Sequence, residues 1–519
     1  MVLLGDALDR NARRYPNKMA LVFEGKRYTF AQLRDRVNRL ANGLLSIGAQ
    51  KGDRVAVLAQ NCSEYVEVYC AAARAGLVTA PVNWRFVERE VAKVVDFLEP
   101  HTLIVEAEFA DMVETLRSRI PCVKNVICLG GGRPGMEDYE DLIARSSPEA
   151  PPVQVGLEDL ACLIHTSGTT GTPNEVMWTH RNWLAGVVDV IIEMHIQRED
   201  VALHVVPAFH IGFAWSMLVY LYRGCTQVVM RRFDPPAVLD AIERERITST
   251  IWVPTMIISL LQEPDVENRD LSSLRLIMYG ASPMPVPVLE RAISTLGPVL
   301  MQVYGLSEQS GALSRLPREE HVLNGTEADR RRLASCGKEM LSDWVRIVDD
   351  QGMDVAPGQV GEIIARGPNI MVGYWREPEH TAQALRDGWL YTGDLAKMDE
   401  DGYIYIVDRK KDVIISGGEN ISSREVEEAV YIHPAVLECA VIGIPDPKWG
   451  EAVAALVVLK PGQTATEEEI IQVCQENLAG YKKPRTITFV ESLPRTPMGK
   501  VMKEALREEY WKGYERRVH

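Results

Sequence analysis

Patterned cysteine is missing from this chain: nine cysteines lie scattered through 519 residues, with no Cys-x-x-Cys pair. An odd, irregular set offers neither a zinc site nor a disulfide framework. Free buried thiols are expected, in a reducing, cytoplasmic setting. No apolar run reaches the roughly 18–20 residues of a membrane helix. Asp6 and Asp9 interrupt the apolar start at Val2–Leu4, so no secretory leader is expected, and no lipidation signal is present. Excess positive charge is also lacking. Lys+Arg total 57 against 72 Asp+Glu, a net charge of −15. Such a chain is poorly suited to duplex nucleic acid, so no nucleic-acid partner is expected. Local backbone amides can still hold small anions.

What is present is an ordinary folded composition, 46% hydrophobic and 25% charged. The length exceeds a single compact core and predicts at least two domains. Short β-branched runs at Arg54–Leu58, Thr102–Glu106, Asn125–Leu129, Leu160–His165, Thr226–Met230 and Thr250–Val253 predict buried strands. Helical spacing marks Thr29–Ile47, Pro235–Glu245 and Pro285–Leu296. The alternation predicts an α/β architecture with largely parallel sheets. Two linkers stand out: the Pro-rich Ser146–Val155, and Tyr403–Asp412, a strand that ends in a dense charge cluster. From Arg409 onward the chain is nearly neutral, with 16 basic and 17 acidic residues. The acidity therefore sits on the part before it, and a Lys-bearing cap on an acidic body suits contact with anionic ligands.

Directly after one predicted strand comes Thr166–Gly171, TSGTTG. Its glycines and hydroxyls give a flexible loop dense in N–H and O–H donors, able to wrap phosphate oxygens or to serve as a plain polar turn. No Gly-Lys-Ser/Thr follows, which excludes the common nucleotide P-loop. Gly130, Gly132 and Gly135 satisfy G-x-G-x-x-G but lack the surrounding unit of a dinucleotide site, and read as a loop.

TSGTTG with Thr172-Pro173, YGLSE at Tyr304–Glu308, YTGD at Tyr391–Asp394, DRKKD at Asp408–Asp412 and PRTPMGK at Pro494–Lys500 occur in one order and spacing. This set resembles the adenylate-forming superfamily, in its acyl-CoA synthetase branch of fatty-acid and aryl ligases. The resemblance implies a large N-terminal multi-sheet α/β domain over 1–408 and a small mobile C-terminal α+β domain over 409–519, hinged near Lys411. It also implies a reaction with ATP, CoA and Mg²⁺. A carboxylate attacks the α-phosphate to give an acyl-adenylate and pyrophosphate, and a thiol then displaces AMP. By the same resemblance Lys500 bridges the carboxylate and the α-phosphate, and Glu308 holds the metal with a loop hydroxyl such as Thr166. Ser167, Gly168, Thr169, Thr170 and Gly171 cradle phosphate. Gly280, Ala281, Ser282 and Tyr304 shape the adenine pocket, Gln302 lies beside it, and Gly305 and Ser307 also bind ATP or AMP. Asp394 and Arg409 serve the ribose. Ser416, Gly417 and Gly418 approach the CoA tunnel. His210, with Phe213, Ala214 and Trp215, belongs to the acyl pocket.

The sequence departs from the family in one place. After TSGTTGTP the family carries Lys-Gly, whereas Asn174 and Glu175 stand here. The local charge falls by two units beside a polyanion. At an effective dielectric near 20, one charge at roughly 5 Å is worth about 3 kcal/mol. Weakened ATP use with an intact fold is the expectation. The expected acid is a medium- to long-chain fatty acid. An aryl-CoA ligase and a stand-alone adenylation enzyme loading a carrier protein are the alternatives. A homodimer and peripheral membrane contact stay open.

Overall fold

The computed structural model describes residues 3–166, 174–282, 284, 286–410, 412–416, 419–496 and 499–512. Strands Arg54–Leu58, Thr102–Glu106 and Asn125–Leu129 and helix Pro235–Glu245 span the residues read from the sequence. That helix starts where it does because the Asp234 side chain accepts the Ala237 N–H, and Pro235 occupies a first-turn position that needs no intrahelical donor. Gly130, Gly132 and Gly135 fall in the turn before the short strand Glu137–Asp138, as a loop.

Among the described residues the strands form four sheets. One runs parallel through Val78–Pro81, Arg54–Leu58, Thr102–Glu106 and Asn125–Leu129. Leu160–Thr166 joins its Val78–Pro81 edge and folds back as the antiparallel strand Asn174–Thr179. A second sheet runs parallel from Leu300–Tyr304 through Leu276–Gly280, Ser249–Trp252 and Val201–His204 to Thr226–Val229. Leu276–Gly280 is buried along its whole length, as a strand covered on both faces must be. Helix Ser63–Ala75 is buried at every position and belongs to a core cluster that joins residues of both sheets. Its buried Glu67 is tolerated because Arg36 Nε donates to it at 2.6 Å and Tyr139 Oη at 2.8 Å.

The third sheet closes with Trp389–Met398 paired antiparallel to Ile404–Arg409. From Ile414 onward the strands pair only with one another, and two core clusters draw on residues after 413 alone. The result is a large multi-sheet α/β body followed by a smaller C-terminal unit. No helix among the described residues is long and apolar enough to cross a membrane.

Candidate active site

A cleft of about 1000 Å³ opens beyond the C-terminal ends of Leu276–Gly280 and Leu300–Tyr304, where open α/β sheets place their ligands. The body supplies most of its wall, and the C-terminal unit contributes Arg495, Thr496, Lys500 and Met502. The wall brings together Thr166, His210, Trp215, Gly280, Ala281, Gly305, Ser307, Glu308, Arg409 and Lys500, which lie far apart in the chain. Gly280 permits this shape: a Cβ there would stand 2.2 Å from the Val303 carbonyl oxygen of the neighbouring strand. Arg85, Arg386, Arg409, Lys410, Arg495 and Lys500 line the cleft against the carboxylates Glu90, Glu308 and Glu362. The cleft is thus locally basic on an acidic chain, a field that draws in a polyanion.

At one end, Asp394 is 5% exposed and gripped from both sides. Tyr304 Oη donates to its Oδ2 at 2.7 Å, and Arg409 Nε lies 3.1 Å from its Oδ1. Asp394 and Arg409 are direct cross-strand partners, so YTGD and DRKKD meet because their strands pair. Asp394 is the main reason the guanidinium holds its proton more firmly, against the cost of burial. Burial first, then the Asp394 charge, push the Tyr304 hydroxyl well above its ordinary range, so it stays a donor. Two engaged oxygens leave the carboxylate further lone-pair sites for hydroxyl donors.

Glu308 is held in the same manner. Tyr374 Oη donates to Glu308 Oε1 at 2.7 Å, and the Met371 N–H donates to the Glu308 carbonyl at 2.9 Å. His380 stacks on the Tyr374 ring at 4.2 Å and 13°. No sequence spacing announces Tyr374, which stands 66 residues from its partner. Its only signal is an aromatic beside Gly373, a glycine in a strand that pairs with Asn174–Thr179.

Lys500 enters on a tight turn. The Gly499 N–H donates to the Thr496 carbonyl at 2.8 Å, and Thr496 N–H to the Lys500 carbonyl at 2.7 Å. Gly499, at φ 79°, lies against the body: a Cβ would meet Thr255 Oγ1 at 2.9 Å. Lys500 therefore faces the same cavity as His210. His210 caps helix Ile211–Arg223, its Nδ1 accepting the Gly212 N–H at 3.1 Å, so Nε2 carries the ring proton. Burial, and then the Lys500 charge, push this imidazole down to about 3, which keeps it neutral near pH 7.

The acyl-pocket expectation needs correction at two positions. Ile211, Gly212 and Trp215 line the cleft, but Phe213 and Ala214 are fully buried in the core. Helical geometry explains the split: residues 211 and 215 share a face one turn apart, while 213 and 214 point away. Phe213 packs instead on Tyr65 and His204. Ser282, Gln302 and Ser416 are also outside the wall, and Ser416 sits in a hairpin of the C-terminal sheet. Tyr304 and Asp394 stand behind the wall and reach it through Arg409. Ser167, Gly168, Thr169, Thr170, Gly171, Lys411, Gly417 and Gly418 lie outside the described residues.

The departing pair is placed unexpectedly. Asn174 and Glu175 open the strand opposite Thr166 and His165. Glu175 does not face a ligand: it is 1% exposed, and His165 Nδ1 lies 2.9 Å from its Oε1. Burial pushes its carboxyl up, and His165 opposes that shift. Asn174 and His165 line the cleft.

The family model described as AMP-binding enzyme matches residues 8–375, and the one described as AMP-binding enzyme C-terminal domain matches 425–500. The feruloyl-CoA synthase of an Amycolatopsis species is 38% identical over 98% of this chain and 99% of that protein. The fatty acid–[acyl-carrier-protein] ligase ScoC of Streptomyces coeruleorubidus is 34% identical over 98% and 96%. The crystal structure of ATP-bound MatB from Rhodopseudomonas palustris superposes with a TM-score of 0.89 at 30% identity, covering 98% of this chain and 100% of that one.

Proposed function

The chain belongs to the AMP-binding enzyme family and is an ATP-dependent, AMP-forming acid–thiol ligase using CoA and Mg²⁺; on that premise we propose that its acid is aromatic. The carrying observation is the acyl end of the cleft, where Trp215 lines the wall beside Ile211 and Val253, with the fully buried Trp252 packed behind them. Trp215 is 3% exposed and packs close to Gly311, where a Cβ would come within 3.2 Å of Nε1. An apolar wall that carries an indole suits contact with a ring, whereas a long alkyl chain needs an open channel. The feruloyl-CoA synthase relative supports the same choice.

The geometry supports the following residue roles. We assign the ribose to Asp394, held by Tyr304 and Arg409, and the base to the Gly280–Ala281 edge with Gly305 and Ser307. We place the boundary of the small domain at 408/409, with Lys411 at the hinge. One protein carboxylate plus a hydroxyl, completed by substrate phosphates, is the donor set Mg²⁺ favours, and Glu308 with Thr166 provides it. When bound there, the ion neutralises charge on the phosphates. In the first step a carboxylate oxygen bonds to the α-phosphorus as the bond to pyrophosphate breaks. Lys500, a point charge on a long stem, meets the negative charge that builds between them. In the second step the CoA sulfur bonds to the acyl carbon, its thiol proton passing to solvent, and AMP leaves with the bonding pair. Neutral His210 orients the acyl group through its Nε2–H.

Pyrophosphate exchange across a panel of acids tests the choice. Cinnamic- and benzoic-type acids are expected to exceed C8–C16 fatty acids by about tenfold or more in kcat/KM. Exchange supported by fatty acids alone would reinstate the class expected from the sequence, the class to which ScoC's name points.

A further inference from the structure

We propose that Glu175 is a positioning residue that clamps a neck of paired strand ends at the cleft wall by holding His165. The neck consists of two directly opposed residue pairs, His165 with Glu175 and Thr166 with Asn174. Each pair carries a side-chain bridge besides the backbone ladder. His165 Nδ1 meets Glu175 Oε1 at 2.9 Å, and Thr166 Oγ1 donates to the Asn174 carbonyl at 3.4 Å. Phe86 packs edge-on against the His165 ring at 5.4 Å and 89°, which fixes its plane. The Trp375 N–H donates to the Glu175 carbonyl at 2.8 Å. This ties the outgoing strand to the segment that carries Tyr374 and, through it, Glu308.

Fold stability gains little from this arrangement. Glu175 is 1% exposed, and its Oε2 finds no partner among the described residues, an unfavourable burial. What the pair supplies is constraint on His165, Thr166 and Asn174 in the cleft wall, and constraint in advance of binding lowers the ordering cost that a ligand must meet. The two accounts of Glu175 differ in sign. If its charge dominates, removing the carboxylate strengthens ATP binding; if the clamp dominates, removal weakens it.

The inference rests on the nucleotide reading of the cleft. Calorimetric titration with ATP and Mg²⁺, without acid, separates the two. Glu175→Gly is expected to weaken ATP binding about tenfold and to raise the KM for ATP more than it lowers kcat. Glu175→Gln, which keeps a bond to His165 without the charge, is expected to restore affinity to within about threefold of the parent. Should Glu175→Gly fail to fold, His165→Phe keeps the ring packing on Phe86, removes the bond and is expected to weaken binding alike. Tighter or unchanged binding in these variants, or Glu175→Gln as weak as Glu175→Gly, overturns the clamp. No ATP binding by the parent protein would overturn the nucleotide reading itself.

Discussion

The two ends of the cleft are built on opposite plans. At the nucleotide end the key polar side chains are fastened to neighbours before any ligand arrives: Asp394 by Tyr304 and Arg409, Glu308 by Tyr374. At the acyl end the wall is largely apolar, with Trp215 beside Ile211 and Val253, and the indole N–H of Trp215 has no partner among the described residues. Fixed charges suit a ligand that never varies, the nucleotide. An apolar wall suits a part of the site whose selectivity changes with a single side chain. Lys500 stands where the two ends meet, beside His210.

Lys500→Ala should break the junction. Loss of one preorganised charge at a reacting phosphate costs on the order of 10²–10³ in rate. Pyrophosphate exchange should fall accordingly, while release of AMP from a preformed acyl-adenylate by CoA continues. Equal loss in both half-reactions would remove Lys500 from the adenylation step. Trp215→Ala tests the acyl end alone. Deleting the ring should lower kcat/KM about tenfold for a small aromatic acid and shift preference toward bulkier ones, with the KM for ATP unchanged. A parallel rise in that KM would show that the two ends are not separable.

The smallest effect concerns the scaffold that both ends share. Burial pushes His180, His204 and His321 down to about 4 each. Between that value and the ordinary 6.5 the unfolded chain binds protons that the fold refuses, so stability must fall as pH drops through this window. The loss is about 1 kcal/mol per histidine near pH 5.5. A thermal melting series from pH 7.5 to 5 should show Tm falling with acidity. A flat series would mean that these imidazoles are solvated in the folded protein.

The end assigned to the nucleotide was read from short contiguous motifs whose resemblance to a family implied their roles. Asp394 and Arg409 could be named from YTGD and DRKKD, and the strands that carry them pair directly. Sheet strands such as Thr102–Glu106 were legible because a buried strand is one unbroken apolar run. The acyl end was less so, since a run such as His210–Trp215 contains both faces of a helix and only packing decides which face is the pocket. That is why Phe213 and Ala214 went to the core. Tyr374 escaped because its partner lies in another segment. Glu175 was visible as a departure, but its inward turn depends on a cross-strand neighbour that no linear reading specifies.

Gly499 carries a consequence for the placement of the charge beside it. Its bare Cα rests where even a methyl group would collide with Thr255. The absence of a side chain at that one point therefore sets how deeply the lysine can be driven home. A misplacement of roughly 1 Å can cost a catalyst about a hundredfold. This small patch of bare backbone fixes how close the turn that carries Lys500 comes to Thr255.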